Sequence, residues 1–183
     1  MRTENQMSIN PVQIQGKQIT IRPVRKSDKG LTLNFAATLS AESQKNQFLG
    51  GVRQLSAKDI EQICDTNFPD SMAFVATLMA EGIEREVGLA RYVEDTTTGA
   101  HELAISIATE YRHSTLARTL VEYLAAYARK HRVRVLYTVD LDSNTAMRKL
   151  ADDLNMSVRL DPDHTHQVIY SLNVDAHPET ITL

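Results

Sequence analysis

The chain has 183 residues, of which 42% are hydrophobic and 23% charged; this excludes a disordered protein and fits one globular domain. Its formal net charge of −3 argues against a general nucleic-acid binder, which needs a basic surface. No run approaches the roughly 20 apolar residues that span a bilayer, the N-terminus lacks a signal peptide's apolar core, and the lone Cys64 excludes an internal disulfide. We expect a cytoplasmic protein that binds neither nucleic acid nor membranes.

The first third of the chain predicts one strand followed by helical segments. Residues 1–15 show little periodicity and are expected to form a flexible leader, whereas KQITIRPV (17–24) alternates as a strand does. Capping residues and apolar spacing then indicate three helical starts: near Asp28, at Ser40 or Ser43 with a run to Gly50, and at Ser56.

The rest of the chain predicts strands that alternate with two helices. The expected strands cover 72–80, 86–94, 101–108, 134–141, 157–160 and 166–174. The expected helices cover 114–130 and a segment that begins at Asp142 or Ser143, and a C-terminal tail covers 175–183. Three antiparallel strands thus precede a strand–helix–strand unit, whose two strands should be parallel neighbours.

This order predicts an α/β fold of the mixed, α+β kind. We expect a central twisted mixed sheet of about seven strands, with helices on both of its faces. Because no linker or repeat divides the chain, residues 16–174 should form a single domain.

The segment from Glu102 to Leu120 gives the strongest indication of function in the sequence. A period-two strand turns there into an amphipathic helix, and the first N–H groups of a helix lack partners and attract anions. Arg112 and Arg118 flank the turn, while the carboxylate of Glu102 lies upstream on the strand. An anion site beside a potential base indicates transfer chemistry on a phosphate-bearing cofactor.

Five passages carry a family resemblance: ITIRPVRKSD, FVAT, VGLARYVED, HELAISI and SNTAMRKLADDLNM. In this order and at these separations, the chain over about 17–174 resembles the GCN5-related N-acetyltransferase (GNAT) superfamily. More narrowly, it is similar to the acetyltransferase domain of bacterial Pat-type protein-lysine acetyltransferases. The resemblance implies a GNAT-like fold and acetyl-CoA as the co-substrate.

The resemblance also implies where acetyl-CoA binds. The family's pyrophosphate loop, Arg/Gln-x-x-Gly-x-Gly/Ala, falls on 112–117, with Thr115 in place of the first glycine. Threonine adds bulk and removes backbone freedom, so we expect weakened or adapted binding in which serine and threonine hydroxyls act as donors. The residues that the resemblance assigns to the cofactor are Ile105, Ser106, Ile107, Arg112, His113, Ser114, Thr115, Leu116, Ala117, Arg118 and Asn144.

Glu102 falls where Pat-type enzymes place their general base. The resemblance implies partial burial beside apolar strands, which makes a carboxylate a better base; the alternative is a solvent-facing glutamate at a sheet edge. For Asn144, which the resemblance assigns to the cofactor, the alternative role is helix capping. Many relatives carry a tyrosine as general acid seven residues after this asparagine, and Ala151 stands there instead.

The resemblance therefore implies an acyl-CoA-dependent N-acetyltransferase that acts on an amine, either a protein lysine or a small molecule. The alternative is a non-catalytic, degenerate GNAT domain that senses acyl-CoA or another small ligand, for which Thr115 is the main support. We expect no metal site, since DPDHTH (161–166) is more typical of a solvated turn than of a zinc or calcium loop. The oligomeric state stays open, with a dimer as one alternative.

Overall fold

A mixed β-sheet organises the residues that the computed structural model describes, which are 11–39, 48–49, 56–65, 70–176 and 181. Its strands are β1 (Val12–Ile14), β2 (Lys17–Pro23), β3 (Phe48–Leu49), β4 (Ser71–Ala80), β5 (Ile83–Glu94), β6 (His101–Ile107), β7 (Val135–Leu141), β8 (Ser157–Leu160) and β9 (Gln167–Asn173). The helices are α1 (Lys29–Thr38), α2 (Ala57–Cys64), α3 (Leu116–Lys130) and α4 (Thr145–Asp153).

The strands lie in the order β1-β2-β4-β5-β6-β7-β9-β8, and the short β3 pairs with β6. Strands β4, β5 and β6 form an antiparallel meander, and β6, α3 and β7 form the strand–helix–strand unit. Among the described pairs, β6 and β7 are the parallel pair and the others are antiparallel. The predicted mixed sheet and the predicted parallel pair are therefore confirmed.

Helices cover both faces of the sheet, as predicted. On one face α1 packs over β5, where the hydroxyl of Thr32 donates a hydrogen bond to Glu86 at 2.8 Å. On the opposite face α3 packs on β4, where the rings of Tyr123 and Phe74 lie 5.9 Å apart. The predicted apolar stripe of α3 is fully buried at Leu116, Leu120 and Leu124.

No helix in the described ranges has the length and apolarity needed to cross a bilayer.

Two strands were not expected from the sequence. β1 lies within the predicted leader, and Gln15 and Gly16, at φ values of 52° and 73°, form the turn that pairs it with β2. This part of the leader is therefore structured. β3 falls in the segment predicted to be helical up to Gly50, and the remainder of that helical prediction lies outside the described residues.

Gly88 on β5 lies where α3 approaches the sheet most closely. A β-carbon at this position would lie 2.9 Å from Leu120 Cδ1, 3.2 Å from Ile107 Cδ1 and 3.3 Å from Leu116 Cδ2. Since these contacts are tighter than ordinary van der Waals packing, the first turn of α3 can rest on β5 and β6 only if residue 88 lacks a side chain.

We expect Gly88→Val to lower the free energy of unfolding by about 1–3 kcal/mol, because its branched side chain must displace α3. Urea denaturation measures this change. Gly30→Ala on α1 is the control, since its β-carbon would meet open space, and it should be neutral or stabilising by up to about 1 kcal/mol. A neutral Gly88→Val variant would contradict the close approach.

Candidate active site

The turn between β6 and α3 exposes the start of a helix, as the sequence predicted. Thr115 is the N-cap residue, and the Thr119 N–H makes the first helical hydrogen bond, to the Thr115 carbonyl at 2.9 Å. The N–H groups of Ala117 and Arg118 precede that bond and find no acceptor elsewhere in the described chain. These two amides and the positive end of the helix dipole form the anion-attracting element of the site.

Thr115 replaces the family's glycine without backbone strain. Its φ of −76° is open to every residue type, and its side chain is exposed. The neighbouring Ser114 has its hydroxyl occupied, because Oγ donates to the Tyr111 carbonyl at 2.6 Å and accepts from the Leu116 N–H at 3.2 Å. Of the two hydroxyls that the sequence offered to a phosphate, only that of Thr115 is left uncommitted among the described contacts.

Arg112 is the half-buried cation of this turn. Its Nε and Nη2 atoms are buried, and neither has a hydrogen-bond partner in the described part of the protein. Burial lowers the pKa of the guanidinium, which reflects the cost of desolvating a charge that has no counter-ion. An anionic group bound at this turn would satisfy these two nitrogen atoms, so the chemistry of the site fits a phosphate-bearing ligand.

The other loop residues differ from Arg112 in their partners and in their exposure. Arg118 Nε donates to Glu122 Oε1 at 2.9 Å, an ion pair one helical turn apart along α3. His113 is exposed on the turn. Leu116 has a fully buried side chain, so it can contribute to a ligand only through its backbone. The two arginines therefore differ: Arg118 is paired with Glu122, and two nitrogen atoms of Arg112 have no partner in the described part of the protein.

Glu102 lies on β6 between Val93 of β5 and Tyr137 of β7, which are its register partners. Its side chain projects to the face opposite Ile105, three residues along the strand, and is exposed. The expected partial burial of this carboxylate is therefore not found. Exposure makes Glu102 reachable by a substrate in solution.

A gap opens between β6 and β7 just beyond Glu102. The two strands pair only at His101–Leu136 and Glu102–Tyr137. Further along, the edge of β6 at Ile105 and Ser106 pairs with β3, while the other edge pairs with β5 throughout. The backbone edge at Ile105 and Ser106, which the family resemblance assigned to the cofactor, is thus paired with the chain's own β3.

A cavity of about 340 Å³ lies beside β5, one strand away from Glu102. The C-terminal end of α2 and the paired strands β4 and β5 line it, and Val93, the register partner of Glu102, is part of the lining. Two acidic residues at its rim are paired with lysines: Asp65 with Lys26 at 2.7 Å, and Glu61 with Lys29. The cavity is large enough for an amine-bearing side chain or a small amine.

Asn144 is the N-cap of α4, where Asp142 or Ser143 had been expected. Its Oδ1 accepts from the Met147 N–H at 3.1 Å, and its Nδ2 donates to the buried Asp140 at 2.8 Å. Both halves of its amide are therefore engaged locally, as its capping alternative predicts. Ala151, which replaces the tyrosine of many relatives, is completely buried.

Sequence reasoning missed Tyr137. The segment RVLYTVDL was interpreted only as an apolar strand, yet the predicted parallel pairing with β6 contained the signal. Parallel strands on either side of one crossover helix have to place some β7 side chain next to Glu102. Which β7 residue lies there depends on the register of the two strands, and in the structure it is Tyr137.

Comparisons with known proteins show which family the chain resembles. A family model described as the acetyltransferase (GNAT) family matches residues 42–156. Among curated proteins, Acetyltransferase PA5475 from Pseudomonas aeruginosa is 36% identical over 157 residues, which cover 86% of this chain and 84% of that protein.

Solved structures share the fold at lower identity. The GNAT domain of S. lividans PAT has a TM-score of 0.75 and 22% identity, over 90% of this chain and 96% of that one. The ribosomal-protein-S5-alanine acetyltransferase from Vibrio fischeri has a TM-score of 0.68 and 13% identity, over 87% and 95% of the two chains. Since the family model covers more than half of the chain and a curated acetyltransferase is 36% identical, the protein belongs to the GNAT family of acetyltransferases.

Proposed function

We propose that this enzyme transfers an acetyl group from acetyl-CoA to an amine, with a protein lysine as the first acceptor class to test. The observation that carries the proposal is the Arg112 guanidinium, whose buried Nε and Nη2 lack partners at the start of α3. A pyrophosphate there would pair with Arg112 and accept from the free N–H groups of Ala117 and Arg118. Asn144 is not included, because its Oδ1 caps α4 and its Nδ2 donates to Asp140.

The pantetheine arm would then run along β6 toward Glu102. Backbone groups of 105–107 on the gap side of β6 would pair with its amides, in place of the β3 pairing at Ile105 and Ser106. Binding therefore exchanges one set of backbone hydrogen bonds for another. The cost of releasing β3 lowers the affinity below what the phosphate contacts alone would give.

Glu102 would act as the base at the end of this path. It takes a proton from the acceptor ammonium, directly or through water, and the neutral amine attacks the thioester carbonyl carbon. A C–N bond forms, the nitrogen releases its second proton to solvent, the C–S bond breaks, and CoA leaves as a thiolate that takes a proton from solvent. Backbone N–H groups near 105–107 would stabilise the charge that develops on the carbonyl oxygen.

Two measurements test the proposal. Calorimetric titration with acetyl-CoA measures binding, and release of free thiol with a panel of lysine peptides and small amines measures transfer. Binding with turnover supports the enzyme and identifies the acceptor class. Binding without turnover on any amine favours the acyl-CoA sensor, and the absence of acetyl-CoA binding contradicts both the enzyme and the acyl-CoA sensor.

We expect Arg112→Gln to weaken acetyl-CoA binding by about 10–100-fold, the usual worth of a hydrogen-bonded charge pair. Arg118→Gln should cost less, because its guanidinium already pairs with Glu122. Arg159→Gln on the edge strand β8 serves as the control and should leave the affinity unchanged. Equal losses for all three variants would indicate only a general charge effect.

A further inference from the structure

Tyr137 of β7 stands at the closed end of the gap between β6 and β7. The register pairs it with Glu102, and beyond this pair the edge of β6 is held by β3 and no longer by β7. Register partners in neighbouring strands project to the same face of a sheet, so the side chains of Tyr137 and Glu102 are neighbours on that face, with no hydrogen bond between them among the described contacts. Any group that reaches the end of the gap meets both.

The surroundings of Tyr137 keep its hydroxyl protonated. The side chain is half-buried, and its other register partner, Ser171 of β9, is uncharged. Burial, followed by the negative charges of Glu102 on β6 and Asp95 in the turn before it, raises the pKa of the phenol above its usual value. The hydroxyl is therefore a hydrogen-bond donor over the whole pH range in which an acetyltransferase is assayed.

We propose that Tyr137 is a positioning residue: when an acceptor amine occupies the end of the gap, its hydroxyl donates a hydrogen bond to the Glu102 carboxylate and holds that carboxylate toward the amine. The proposal rests on the proposed function, in which Glu102 is the base. An exposed glutamate on a strand samples several rotamers, and a bond to one oxygen fixes the carboxylate while leaving the other oxygen to receive the amine proton. The phenol itself exchanges no proton in the reaction.

Tyr137→Phe tests this role because it removes the donor and keeps the ring. We expect kcat/KM for the amine to fall about 10-fold and the acid limb of its pH profile to move to higher pH, since the carboxylate form loses a stabilising donor. Acetyl-CoA affinity should not change. Tyr127→Phe, on the opposite face where Tyr127 packs against Phe74, is the matched control and should leave the profile unchanged. An unshifted acid limb in Tyr137→Phe overturns the proposal.

A second measurement needs no activity. In protein labelled with ¹³C-tyrosine, Glu102→Gln should move the titration of Tyr137 toward lower pH, and Asp95→Asn, which removes a charge without a proposed hydrogen bond, should move it less. If the two substitutions shift the Tyr137 titration equally, or not at all, the pairing of Tyr137 with Glu102 is overturned even if acetyl transfer is intact. If Glu102→Gln gives the larger shift but the protein acetylates no amine, the pairing stands and only the proposed function is contradicted.

Discussion

Glu102→Gln is expected to slow acetyl transfer by about 10²–10⁴-fold while acetyl-CoA affinity stays within twofold, because the substitution removes a proton acceptor and preserves shape. The side chain is exposed on β6, away from the α3 turn that would hold the phosphates. The effect should therefore fall on kcat with little change in binding. Thiol release at saturating acetyl-CoA, together with calorimetry, measures the two quantities separately.

The pH dependence separates a lost base from a distorted site. Without the carboxylate, only the fraction of amine that is already neutral can react, so the rate of Glu102→Gln should keep rising about tenfold per pH unit toward the amine's own pKa near 10.4 for lysine. The parent enzyme should level off at lower pH. Glu81→Gln, an exposed carboxylate in the turn at the far end of β5, is the control and should behave as the parent. A Glu102→Gln profile parallel to that of the parent would contradict a role as base.

Much of this fold could be read from the sequence because its periodicities are strong. The apolar spacing of Leu116, Leu120 and Leu124 predicted α3, and its N-terminus lies within two residues of the prediction. The strands that were missed are short and have no periodicity of their own. β1 depends on left-handed backbone at Gln15, which is rare outside glycine, and β3 depends on pairing with β6, far away in the chain.

The candidate site was predicted less completely, because local partners decide which groups are available. The sequence placed both Arg112 and Arg118 at the turn, yet Glu122, four residues after Arg118, pairs with the second of them. That pair could have been read from the helical spacing. The isolation of Arg112 could not, since it depends on which side chains do not reach it in three dimensions. Tyr137 could not be identified from the sequence either, because its position next to Glu102 depends on the register between β6 and β7.

Glu86→Gln is expected to stabilise the protein increasingly as the pH rises. Glu86 is buried beneath α1, accepts one hydrogen bond from Thr32, and has its Oε1 unsatisfied. Burial, partly opposed by the Thr32 bond, raises the pKa of this carboxyl to about 8. The unfolded chain ionises near its ordinary pKa of 4.5, so between these two values the folded state binds more protons and stability falls as the pH rises.

Glutamine cannot ionise and should remove this slope. The stability of Glu86→Gln relative to the parent should therefore grow by about 2–4 kcal/mol between roughly pH 5 and pH 9, as urea denaturation at several pH values would show. Asp95→Asn is the matched control, because hydrogen bonds from the Thr97 N–H and the Thr98 hydroxyl hold the pKa of Asp95 below its ordinary value. Its stabilising contribution is complete above that ordinary value and is lost only as the pH falls through the lower pKa, so its penalty should be constant over the same interval. If the stability difference between Glu86→Gln and the parent also stayed constant with pH, Glu86 would have to be ionised in the folded protein already. A counter-charge would then lie close enough to offset its burial.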